Sequence, residues 1–207
     1  MQREKLLLAL ALYTLMAVSA FLLGLASGDH DLFVHPDPLV SLPALARIPA
    51  GLALGAAVGI VIAWITQKAV EPWRWRPAVG LHLGLRQLLG VADRPLGERD
   101  VLLLAISSAI AEEAFFRGWL MCSVGLVLSS IAFGLAHYVP AARPMRAWVP
   151  MAVVMGVILG LLFRASGGLE APIAAHFAIN YRNLHFVSSF DPGLCVGGPV
   201  PGGSRSA

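Results

Sequence analysis

The sequence predicts an all-α, multi-pass membrane bundle of about six transmembrane helices. Three observations predict it. Of the 207 residues, 57% are hydrophobic and 13% charged, against about 45–50% and about 25% in soluble domains. Six apolar stretches reach or approach the roughly 20 residues needed to cross about 30 Å of hydrocarbon. No alternation of period two supports a β-barrel. These facts exclude a soluble single domain, a disordered chain and a nucleic-acid binder working through a basic surface, despite a net charge of +3.

The six stretches are 6–26, 45–66, 101–121, 124–143, 147–163 and 169–190. The first follows Arg3 and Lys5, as a signal peptide would, but its apolar run exceeds the usual 7–15 residues, so a retained helix is expected. The second carries Gly51, Gly55 and Gly59, and the fifth Gly156 and Gly160. Both stripes are expected to be close helix packing. Residues 1–190 form a single transmembrane domain in this reading, and 191–207 a disordered tail rich in Gly, Pro and Ser.

Between the second and third stretches, residues 70–99 mix Trp73, Trp75, Leu81, Leu83, Leu85, Leu88 and Leu89 with Arg74, Arg76, His82, Arg86 and Gln87. That pattern suits an interfacial segment on the cytoplasmic face. Basic residues gather at the N-terminus, in 68–99, at Arg143 and Arg146 and at Arg205, while Arg47 and Arg164 lie opposite. The positive-inside rule then places both termini in the cytoplasm. Arg outnumbers Lys by 13 to 2, a bias that hints at a GC-rich bacterium, hence its inner membrane.

Charge inside the spans is informative, because each group at mid-membrane costs about 2.5–3.5 kcal/mol on insertion scales. The third span holds Glu112, Glu113 and Arg117. Glu113 and Arg117, four apart, share a helix face and can pair. Glu112 lies about 100° away without a partner in its own span, so it faces another helix or water. The fourth span carries Phe133 and His137 four apart, with Ser130 on that face. The sixth carries His176 and Asn180, again four apart, with Asn183 nearby. These stripes can converge on a site that activates water and holds an oxyanion. With straight spans their depths differ by about 10 Å, which tilt and shifted boundaries must close.

The remaining polar residues read as structural. Ser107, Ser108, Ser129 and Ser130 are expected to be packing hydroxyls. His30 and His35 lie in a solvated outer loop. His185 lies about 180° from His176 and is left out of the site. Cys122 and Cys195 fall at opposite faces and lack metal-ligand spacing.

Glu112-Glu113-x-x-x-Arg117, Phe133-x-x-x-His137 and His176-x-x-x-Asn180 resemble the three signature motifs of the CPBP family. This is the group of CAAX proteases and bacteriocin-processing enzymes, also called Abi or glutamic-type intramembrane endopeptidases. Phe116-Arg117-Gly118 and Pro172-Ile173-Ala174-Ala175 fit as flanks. The resemblance covers about residues 100–181. It implies a helical membrane bundle around a polar cavity and an endopeptidase activity. Glu112 would be the general base, His137 would bind and polarise the water, and His176 and Asn180 would stabilise the oxyanion. Glu113, Arg117 and Phe133 would support them. The chain departs from many relatives in the link between the first two motifs, where only 23 residues separate Glu113 from His137.

The resemblance requires no cofactor. Zn²⁺ is the metal the set could take, through Glu112, His137 and His176 with Asn180 nearby, although the H-E-x-x-H helix of zincins is absent. The implied partners are the bilayer and a membrane-protein or peptide substrate, C-terminal sorting tails among the candidates, and no nucleic acid. Two other classes compete. A non-proteolytic scaffold or bacteriocin-immunity protein would tolerate loss of Glu112, and a transporter would show inverted repeats, which this sequence lacks.

Overall fold

The computed structural model describes residues 3–28, 31–91, 95–140 and 143–192. The long apolar runs form α1 (Arg3–Ser27) and α2 (Ala44–Val70). The segment after α2 holds α3 (Arg76–Leu89), entered through Pro77 at its start and ended by Gly90 at φ 67°. The next helix is continuous but changes winding. It begins as α4 (Glu98–Glu113), widens to a π-helix over Ala114–Met121 and closes with α5 (Cys122–Val124). Gly125, at φ 85°, makes a reversal that a side chain would resist. Then come α6 (Leu126–Ala136), α7 (Trp148–Ser166) and α8 (Glu170–Ser189). Among the described residues the only β feature is an isolated bridge, Val34 to Gly168.

The architecture is an all-α membrane bundle. Among the described residues three helical stretches, Arg3–Ser27, Ala44–Val70 and Met145–Ser166, are long and apolar enough to cross a membrane, against six expected. The helix from Glu98 to Val124 and α8 are long but polar in part, because they carry the buried charges. The expected span 124–143 is corrected most. Its helix has 11 residues, about 16 Å, and cannot cross. It stops where His137 Nδ1 donates to the Phe133 carbonyl at 2.8 Å, occupying an acceptor near the helix end. Pro140 follows and disfavours helix in the residue before it.

The glycine stripes do what their spacing suggests. A Cβ on Gly55 would collide with the Ala171 backbone, and one on Gly59 would lie 2.8 Å from Ala175 Cα. α2 therefore packs backbone to backbone on α8. Gly156 meets Ser130, and Gly160 meets Leu126, joining α7 to α6. Outward-facing Leu8, Leu15, Leu22, Leu52 and Ile60 are exposed in the isolated chain, as lipid-facing side chains are.

The loop between α1 and α2, expected to be outer and solvated, is partly buried. Leu32 is buried, and its carbonyl would lie 2.7 Å from a Cβ on Gly118. His35 is buried too, its Nδ1 accepting the Asp37 N–H at 3.0 Å and its ring set against Phe163. Burial holds its pKa below the usual histidine value. His30 lies outside the described residues, as do Cys195 and the tail from 193 onward. The first two expected tail residues are held: Asp191 pairs with Arg86 and the Pro192 carbonyl accepts from Arg74.

Candidate active site

Glu112 and Glu113 end α4, just before the π-helix that carries Arg117. Such π segments recur at functional sites. Arg117 and Glu113 are among the most deeply buried side chains in the protein, 2% and 0% exposed. Arg117 Nη1 donates to Glu113 Oε1 at 3.0 Å, and Nη2 donates to the Gly156 carbonyl at 3.2 Å. The expected Glu113–Arg117 pair is therefore formed, with α7 as a third member.

His176 comes from α8. Its Nδ1 donates to the same Glu113 Oε1 at 2.7 Å. His137 sits just past the end of α6, its Nδ1 committed to Phe133. Both rings thus turn Nε2 toward Glu112. Glu112 Oε2 lies 3.8 Å from His137 Nε2 and 4.0 Å from His176 Nε2. These gaps are too long for direct hydrogen bonds and suit one small bridging group. Glu112 Oε2 is buried with no hydrogen-bond partner among the described residues, a costly state for a carboxylate oxygen.

Phe133 is the floor. Its ring is 2% exposed, lies 4.7 Å from the His137 ring and 6.0 Å from the His176 ring, and takes the Arg117 guanidinium at 4.3 Å over its face. Trp148 closes the other side of His137 at 5.0 Å. Asn180 is one turn past His176, and its Nδ2 donates to Ser108 Oγ at 2.9 Å. Ser130 and Asn183, expected near these faces, are used elsewhere: Ser130 bonds Leu126, and Asn183 pairs with Thr66 of α2. His185 is engaged by Glu98 at 3.0 Å, outside the site.

The expected spread in depth closes for two reasons. α6 stops short, so His137 lies about 16 Å from the Leu126 end of that helix. The start of α8 is set back, because Leu169 meets Gly118, about 9 Å before the Val124 end of its helix. His176, six residues on, then reaches the level of Glu112.

Among the described residues no group of three or more His, Cys, Asp or Glu is arranged to hold a metal ion.

Ser108 is a residue that the motifs alone miss. It precedes Glu112 by four, so helical spacing places it on the same face. α1 also reaches this region, Met16 packing against the cluster of Phe116 and Phe133. Nothing in the sequence ties α1 to α4.

Residues 99–182 match the family described as Type II CAAX prenyl endopeptidase Rce1-like. The chain is 33% identical over 82 residues to the uncharacterized protein YpbD of Bacillus subtilis (strain 168). That alignment covers 39% of this chain and 41% of the relative, so the chain spans less than half of the curated relative's length. No solved structure matches. Over residues 99–182, then, the chain is similar to that endopeptidase family, to which its three motifs also point.

Proposed function

We propose that this protein is an intramembrane endopeptidase that hydrolyses a peptide bond of a membrane-associated protein or peptide by glutamate-activated water. One observation carries the reading: a buried Glu112 oxygen without a partner, faced by two histidine Nε2 atoms at 3.8 and 4.0 Å. Both histidines have spent Nδ1 as donors, so when neutral they offer Nε2 lone pairs. A water held by Glu112 and one histidine has both hydrogens engaged and a lone pair aimed at a substrate carbonyl. Glu112 takes the proton as oxygen attacks carbon, and returns it to the leaving amine.

The oxyanion is then met by Asn180 through its second Nδ2–H, and by His176. His176 can donate through Nε2 only as the imidazolium, and the Glu113 carboxylate compensates that charge. Fixed donors of this kind stabilise developing charge more than most other catalytic devices do. No metal takes part in this mechanism. We place the protein in the bacterial cytoplasmic membrane with both termini inside, on the distribution of its basic residues. C-terminal sorting tails, themselves membrane helices, are the substrate class we favour.

The test is Glu112→Ala and His137→Ala in cells, read by proteomics of intact membrane proteins. Uncut substrate should accumulate in both. Wild-type processing in both variants would overturn the reading. Activity of the purified protein should survive a chelator, and its loss there would instead favour a metal.

A further inference from the structure

A primary amide has nearly the same shape either way round, but its ends have opposite polarity. Nδ2 carries two donors, and Oδ1 only accepts. Asn180 can meet a developing oxyanion with its nitrogen end alone, because Oδ1 turned that way would repel the charge. Whatever fixes the turn of this amide is therefore part of the site.

A second amide on the same helix is fixed at both ends. Asn183 Nδ2 donates to Thr66 Oγ1 at 3.1 Å, and its Oδ1 accepts from Gln67 Nε2 at 3.4 Å. Asn180 has one side-chain partner among the described residues, Ser108 of α4, whose Oγ accepts its Nδ2–H at 2.9 Å. Ser108 is 3% exposed, and its hydroxyl donates to the Ala105 carbonyl at 3.2 Å. A hydroxyl has one proton to give. With that proton committed to Ala105, Ser108 can only accept from Asn180, which selects Nδ2 over Oδ1. The second Nδ2–H is left for a ligand. Ser108 also stands one turn before Glu112 on the same helix face, so general base and amide are held in one frame.

We propose that Ser108 is a positioning residue: it orients the Asn180 amide so that the second Nδ2–H, and not Oδ1, meets the oxyanion beside Glu112. This rests on the endopeptidase reading above. It gives Ser108 a role that the packing hydroxyls of the same spans do not have.

The experiment uses the full chain in lipid nanodiscs, with a farnesylated, internally quenched CAAX-type peptide as probe. Ser108→Ala should lower kcat per folded molecule roughly tenfold with KM unchanged, since a misplaced catalytic group costs at least that much. Asn180→Ala should lower it by about 10²–10³-fold, the worth of an oxyanion donor. In the Asn180→Ala background, Ser108→Ala should change kcat by less than about twofold, because the serine then has nothing to orient. Independently of cleavage, the Asn180 side-chain amide resonances, assigned by their loss in Asn180→Asp, should show one hydrogen-bonded Nδ2 proton in the wild type. That signature should disappear in Ser108→Ala. Wild-type kcat in Ser108→Ala, a tenfold loss that persists without Asn180, or unmoved Asn180 resonances would overturn the proposal. Failure of the functional reading looks different: the wild type leaves the peptide intact, or Glu112→Gln still cuts it, while the Asn180 resonances still decide whether Ser108 sets the amide.

Discussion

Two buried arginines anchor two polar clusters in this protein, and they are finished differently. Arg86, on α3, is 8% exposed. It donates to the carbonyls of Val187, Ser188 and Phe190 and pairs with Asp191, while His82 adds a bond to Phe190 at 2.8 Å. The carbonyls that a helix leaves orphaned at its C-terminus are thereby satisfied, and α8 is pinned. Arg117 is also paired, but its partner Glu113 is shared with His176, and the neighbouring Glu112 keeps an oxygen with no partner. The first cluster closes its hydrogen bonds and holds a helix. The second leaves one oxygen of each glutamate open among the described residues, and that of Glu112 faces both histidines, in the position where a reaction needs it. Satisfied burial stabilises, whereas unsatisfied burial is tolerated where chemistry repays it.

The comparison breaks most sharply at Glu112. Glu112→Gln should lower kcat by about 10²–10⁴-fold, the usual worth of a general base, without lowering Tm, because an unpartnered carboxylate oxygen contributes nothing to stability. Peptide cleavage and thermal unfolding of the same preparation check both halves. A stability loss as large as that of a core variant would place Glu112 with the structural groups.

Glu113→Gln should do the reverse in emphasis. It removes the charge that compensates Arg117 and orients His176, and breaking a buried pair costs about 3–5 kcal/mol. Unfolding in denaturant should show that loss, along with lost activity. Unchanged stability would mean that Arg117 is carried by the Gly156 carbonyl and the Phe133 ring alone.

Arg86→Met should be milder. The helix-end carbonyls lose their donor, at about 1–3 kcal/mol, yet the cleavage rate per folded molecule should persist, since no Arg86 contact reaches Glu112, His137 or Asn180. Loss of kcat in a well-folded Arg86→Met protein would show that pinning the end of α8 also sets the register of His176.

Sequence and structure agree where one local pattern decides. α1 and α2 lie close to their apolar windows, and the spacing of Glu113 and Arg117 gives their pair. The glycines of α2 give a packing face, although only the structure shows that Ala171 and Ala175 of α8 fill it. Agreement fails where the answer depends on another element. The run 124–143 is apolar enough to span, but a side-chain bond from His137 and the approach to Pro140 end its helix at Ala136. Depth is the same kind of problem. Spacing shows which face His176 and Asn180 share, but their level depends on how far Leu169 sinks toward Gly118. Met16 is the extreme case, one apolar residue in an apolar helix, and only the packing of α1 against the Phe116 and Phe133 cluster gives it a neighbour.

The smallest effect separates the two clusters by pH. Burial is the main cause that holds the His82 pKa below its usual value, and the nearby Arg86 charge acts the same way, against the bond to Phe190 and the charge of Asp191. A lowered folded-state pKa means that the undocked state binds more protons. Docking of the α8 end on α3 is then at full strength above about pH 6.5, the unperturbed histidine value, and weakens as pH falls through the folded-state pKa. Amide hydrogen exchange at Val187–Phe190, corrected for its intrinsic pH dependence, should therefore accelerate between about pH 7.5 and about pH 5. In His82→Gln the corrected rate should be flat across that range. A pH dependence that survives the substitution would assign the titration to another group near Arg86, Asp191 being the other ionisable side chain in that cluster.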